Sequence, residues 1–287
     1  MVDVLAGRAL PGHDGHVTQT PPKPSPDATA PSPEAGRPGD ALRAEGTTRA
    51  AGPGPESVAA PRGRDARDRP SPRLRLVGAA VAVVASGVAL AVIWASRLTV
   101  GRSVYVSELG SGAFPTTDAF NAALLLLGLG GAGAAVAVLG QRSVARGLRL
   151  GSVTASLAVS AVCFALASRV TCTPGCPVPF SDGATTQDVV HVAVAVLGFA
   201  AAVWAMLQTA TGTVPTVARR TAVTAAVLVA LTSATGGLLS IAGVRVDVGA
   251  DLELTATTIA VLWLVVHAAG SGLAGRSRTA PHRSTTG

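Results

Sequence analysis

No charged residue falls in the middle of any of the six long apolar runs between Leu74 and Leu273. A permease that coordinates an ion or couples protons in mid-membrane needs such a group, so a small-molecule permease ranks last among the readings considered. Aromatic residues make up only 3% of the chain. The net charge of +7 is therefore no sign of nucleic acid, because its arginines flank the apolar runs and form no stripe interleaved with aromatics. With three cysteines, the sequence holds no C-x-x-C pair of the structural zinc kind and no haem-attachment motif. No cofactor is implied. Met1 to Leu10 has neither a cationic start nor a continuous apolar region, so the first membrane helix is expected to do the targeting.

Long apolar runs are what the sequence does have. A bilayer core of about 30 Å needs roughly 20 helical residues, and each run is close to that length. The fold class expected is all-α: a polytopic membrane protein with a six-transmembrane-helix bundle over residues 73–273. The helices are expected at 76–96, 119–140, 150–168, 189–208, 221–243 and 255–273. The third is the weakest, since Ser152, Thr154, Ser156 and Ser160 dilute it. Residues 1–72 hold 13 of the 19 prolines and no core-forming run, which predicts a disordered tail with polyproline character. Residues 274–287 form a short basic tail. The preponderance of Arg (a single Lys is present) and of Ala, Gly, Val and Pro suggests a GC-rich coding sequence of a bacterial kind.

Arginine placement orients the bundle, because short basic loops stay cytoplasmic. Arg62 to Arg75 precede the first run, Arg142, Arg146 and Arg149 follow the second, Arg219 and Arg220 follow the fourth, and Arg276, Arg278 and Arg283 follow the sixth. Both termini are then cytoplasmic in a cell-membrane protein, with anionic lipid as the partner of the inner arginines. All seven acids beyond the tail, Glu108, Asp118, Asp182, Asp188, Asp247, Asp251 and Glu253, fall on the outer side. They read either as residues excluded from the basic face or as an outward-facing polar site.

The first outer loop reads Ser107-Glu108-Leu109-Gly110, then Pro115, and reaches Phe120-Asn121 as the glycine-bearing second helix begins. On these residues the chain resembles the domain of unknown function (DUF) 998 family of six-span prokaryotic membrane proteins, over roughly residues 74–273. The resemblance implies six helices and no established reaction. Asp118 is expected to cap the second helix, Asn121 to bond near the interface, and Glu108 to pair with Arg102. Gly128, Gly130, Gly131 and Gly133 should allow close helix approach. The polar stretch from Thr232 to Ser240 is either helix contact or a helix break of the transporter kind.

Cys172-Thr173-Pro174-Gly175-Cys176 places Pro-Gly at the centre of a type II turn, which makes Cys172 and Cys176 a disulfide candidate and a weaker metal candidate. Cys163 reads as packing. Asp188 and His191, three residues apart, share a face at the outer end of the fourth helix and form the best candidate for catalysis or weak metal binding, with Glu108 nearby. Alternatively they are a helix-end carboxylate and an interfacial histidine. His267 lies about 18 Å deeper, too far to share a haem with His191. Two functions stay open: a bundle that binds lipid or a partner membrane protein, and a membrane enzyme acting on lipid head groups with His191 as general base or ligand.

Overall fold

A computed structural model of the protein describes residues 71–179 and 181–277. Helices α1 (Pro72–Val100), α2 (Thr117–Ala137), α3 (Val153–Ala167), α4 (Thr186–Ala210), α5 (Thr216–Ala242) and α6 (Val246–Ser277) make up the described chain, with two short 3-10 turns at Ser107–Gly110 and Arg146–Leu148. The tail expected over 1–72 lies outside the described residues except for Ser71 and Pro72. These two open α1: the Ser71 hydroxyl accepts from the Leu74 amide, and Pro72 sits where a helix has no use for an N–H. The basic tail beyond residue 277 also lies outside the described residues.

Each helix packs on its neighbours in chain order, and α6 packs back on α1, so the six close into a ring. Side-chain ties show that neighbours run antiparallel. Arg75 at the start of α1 donates to the Leu139 carbonyl just past the end of α2 (2.6 Å), while Arg97 at the other end of α1 pairs with Asp251 near the start of α6 (3.1 Å). Gln208, fully buried near the end of α4, donates to the Leu148 and Leu150 carbonyls (3.1 and 3.2 Å) and accepts from Ser156 in the first turn of α3 (2.9 Å). At the start of α4, His191 meets the Val170 carbonyl just past the end of α3. One end of the ring therefore carries Arg142, Arg146, Arg149, Arg219 and Arg220, and the opposite end carries all seven acids. We call them the basic and acidic ends.

Among the described residues, five helices (α1, α2, α4, α5 and α6) are long and apolar enough to cross a membrane. The third, α3, has 15 residues, so its helical part measures about 22 Å. The serines that dilute this segment explain the shortening at one end: Ser152 caps α3, its hydroxyl accepting from the Ala155 amide at 3.1 Å. The sixth helix departs from expectation in the other direction. It begins at Val246, nine residues earlier than its apolar run, because Asp247 and its neighbours join the first turns, where carboxylates meet the positive end of the helix dipole. The loop before it is thus only Gly243–Arg245, and Asp251 and Glu253 are helical residues.

Glycines set the closest contacts. A Cβ on Gly133 would lie 2.7 Å from the Gly78 carbonyl oxygen and 2.9 Å from the Ala82 amide nitrogen in α1; one on Gly128 would lie 2.9 Å from the Ala161 carbonyl oxygen in α3. Gly130 likewise faces Ser86 of α1, and Gly131 faces Ala161. Helix α2 thus uses alternate glycines to bring a neighbour onto each side, as small residues do where no hydrophobic force draws helices together. The fifth helix is unbroken from Thr216 to Ala242. The Thr232 hydroxyl bonds back to the Leu228 carbonyl of its own helix (2.7 Å), so this polar stretch interrupts nothing.

Candidate functional site

The acidic end is closed by two loops that meet. In the loop between α1 and α2, Val104, Val106 and Leu109 turn inward and are buried, which folds the segment down onto Phe120 and the top of the bundle. Burial obliges its backbone to find partners. The Val106 amide donates to Glu253 Oε2 of α6 at 2.8 Å, and Asn121 Nδ2 of α2 contacts the Gly110 carbonyl at 3.4 Å. Arg97 binds Asp251, with Ser103 Oγ at 3.4 Å on the same carboxylate oxygen, and also donates to the Arg102 carbonyl. Arg102 pairs with Glu108 at 3.6 Å, as the sequence predicts, with the guanidinium 5.5 Å from the Phe114 ring centre. The pair is an exposed arginine on a mostly buried carboxylate and clamps the loop.

Asp118 differs from expectation. The N-cap of α2 is Thr116, and Asp118 sits inside the first turn, where it complements the dipole without capping an amide.

In the loop between α3 and α4, Cys172 and Cys176 are joined as a disulfide. Pro174-Gly175 forms the expected turn, with Gly175 at φ +84° and the Cys176 amide donating to the Thr173 carbonyl at 2.9 Å. The turn is anchored by Asp188. Its Oδ1 accepts from the Thr173 amide (2.7 Å), its Oδ2 accepts from the Thr185 amide (2.8 Å) and hydroxyl (2.7 Å), and the Thr173 hydroxyl lies 3.0 Å from both. The Thr185 hydroxyl in turn accepts from the Asp188 amide, which completes a capping box at the start of α4. Asp188 is fully buried and both of its oxygens are engaged, so the geometry makes it a cap and an anchor.

One turn along α4, His191 is also buried. Its Nδ1 lies 2.5 Å from the Val170 carbonyl oxygen, and its Nε2 has no partner. A ring nitrogen of His191 and the sulfurs of Cys172 and Cys176 lie within 4.8 Å of one another. Asp188 does not belong to that group. While the sulfurs are bonded to each other neither is a thiolate, the form that ligates metal, so the donor set exists only in the reduced chain. Ser107 joins the two loops: its carbonyl oxygen is 3.5 Å from Cys172 Sγ and its hydroxyl 3.8 Å from Cys176 Sγ.

The chain matches no family model, no curated protein and no solved structure. The site therefore rests on its own geometry. For two of its members, Ser107 and Glu253, nothing local in the sequence signals the contacts they make. Glu253 was visible only as one acid among seven, and its partner amide is 147 residues away.

Other residues considered from the sequence lie elsewhere. Cys163 is buried and unpaired within α3. His267 is buried toward the basic end of α6 and stacks on Trp263 with ring centres 5.0 Å apart. At the basic end, the α2–α3 and α4–α5 connections meet through Ser143 Oγ and Thr211 Oγ1 (2.7 Å). Beside this tie lies an open groove of about 730 Å³, lined by Val144, Ala145, Thr211, Val223 and Thr224 together with Arg219 and Arg220.

Proposed function

We propose that this is a six-span cell-membrane protein, both termini cytoplasmic, that holds anionic phospholipid in the groove at its basic end. The observation that carries the reading is the groove's mixed lining: two exposed guanidiniums, Arg219 and Arg220, beside Val144 and Val223. A phosphate needs the first kind of group and an acyl chain the second. Segregation of arginines to one end supports the orientation. The short α3 completes six crossings because, with its flanks, it reaches from the level of Gln208 to that of His191, 17 residues apart on α4, or about 25 Å. The resemblance to the DUF 998 family, also six-span, agrees with this count.

The test is native mass spectrometry of the full chain released from nanodiscs of phosphatidylglycerol or of phosphatidylcholine. Stoichiometric retention of phosphatidylglycerol alone is expected. In the Arg219→Gln/Arg220→Gln variant its affinity should fall by roughly thirty-fold, since each arginine contributes about 1 kcal/mol. Equal retention of the two lipids, or no change in the variant, would refute the proposal.

A further inference from the structure

The disulfide at the acidic end stands beside an unpaired acceptor. A carbonyl oxygen only accepts, so the contact between His191 Nδ1 and the Val170 carbonyl places the ring proton on Nδ1 and leaves a lone pair on Nε2. That Nε2 is buried with no hydrogen-bond partner, on a side chain 3% exposed. Buried polar atoms are ordinarily satisfied, and one that is not raises the free energy of the state containing it. A disulfide has no proton to offer. Reduction would create two S–H groups beside two acceptor-bearing groups: the His191 ring, one nitrogen of which lies within 4.8 Å of both sulfurs, and the Ser107 carbonyl, 3.5 Å from Cys172 Sγ. The reduced state repairs the defect that the oxidised state carries.

We propose that Cys172–Cys176 is a redox-active, oxidising disulfide that takes two electrons from a dithiol partner, with His191 stabilising the reduced form. A disulfide becomes a better oxidant when its reduced form is favoured. Access selects the sulfur attacked, because Cys172 is 1% exposed and Cys176 is only half-buried. A thiolate of the partner bonds to Cys176 Sγ, the Cys172–Cys176 bond breaks, and Cys172 leaves with the electron pair. Cys172 then takes up a proton and donates it in a hydrogen bond to Nε2. The partner's second thiolate attacks its own sulfur in the mixed disulfide and releases Cys176, which is protonated in turn. The protein disulfide gains two electrons and two protons, and the partner dithiol becomes a disulfide. Asp188 positions the pair through Thr173 and touches neither sulfur.

The full chain in mild detergent is equilibrated in glutathione buffers of graded ratio, and free thiols are counted by alkylation and mass spectrometry. The wild-type bond should open at ratios that leave structural disulfides closed. His191→Ala should shift the equilibrium constant toward the disulfide at least tenfold, equivalent to about 30 mV for a two-electron couple. His191→Gln, which retains an acceptor, should restore it to within threefold of wild type. A wild-type disulfide that opens only in excess dithiothreitol overturns the proposal, as does a His191→Ala constant within twofold of wild type.

Discussion

Replacing Asp188 by alanine should destabilise the protein by about 3–5 kcal/mol, the largest effect of any single polar substitution at the acidic end. The carboxylate accepts from two backbone amides and two hydroxyls, those of Thr173 inside the CTPGC turn and of Thr185 at the start of α4. Hydrogen bonds to a charged group contribute roughly 1.5–3 kcal/mol each, and donors stranded in a buried site add their own desolvation cost. The capping-box contact with the Thr185 N-cap alone is worth about 1 kcal/mol, so the excess over that figure measures the anchoring of Thr173. The experiment is an SDS unfolding titration in mixed micelles. Asp188→Asn keeps one acceptor oxygen and should recover about half of the loss. A cost near 1 kcal/mol for Asp188→Ala would mean that the tie to the Cys172–Cys176 turn contributes nothing.

The second large effect is steric. Gly133→Ala should cost about 2–3 kcal/mol in the same titration, because its Cβ would lie 2.7 Å from one backbone atom of α1 and 2.9 Å from another, neither of which can rotate aside. Helix α1 would have to move away from α2 and lose contacts along its length. Gly87→Ala in α1 is the control. A Cβ there meets nothing within 4 Å, so the substitution should be neutral or stabilising by up to about 1 kcal/mol through helix propensity. Equal costs for the two variants would remove close backbone approach as the basis of the α1–α2 contact.

The difference between these glycines was only half legible in the sequence. The cluster at 128–133 announced a close contact, but which neighbour each glycine admits depends on α2 lying between α1 and α3. Local signals suffice where a short segment carries its own geometry, as with Pro174-Gly175 and the two cysteines. Thr185-x-x-Asp188 is another such signal: it is a capping-box pattern, which specifies the helix-end carboxylate given as the alternative role for Asp188. Charge ends the apolar run at residue 255, yet Asp247, Asp251 and Glu253 are helical, because a helix N-terminus welcomes carboxylates. Of the two readings open for the polar stretch in α5, contact holds and break does not: the Thr232 hydroxyl folds back on its own helix and Gly236 faces Gly249 of α6. Ser107 stands in the Ser-Glu-Leu-Gly segment and Glu253 among the seven acids, but the contacts they make exist only after segments far apart in the chain have met. No periodicity encodes such a meeting.

The shortness of α3 has a consequence for the surrounding bilayer. On the six-span reading, the roughly 25 Å covered by α3 and its flanks leaves the hydrophobic belt about 5 Å shallower on that side than a hydrocarbon layer of about 30 Å, while α1, on another side of the ring, has 29 residues. Acyl chains beside α3 must compress or tilt to cover the deficit, at a fraction of a kcal/mol per Å. The molecule thus has a thin flank and a thick flank. That asymmetry draws it toward thinner patches of membrane, and it favours a neighbour whose own rim is low where the two meet.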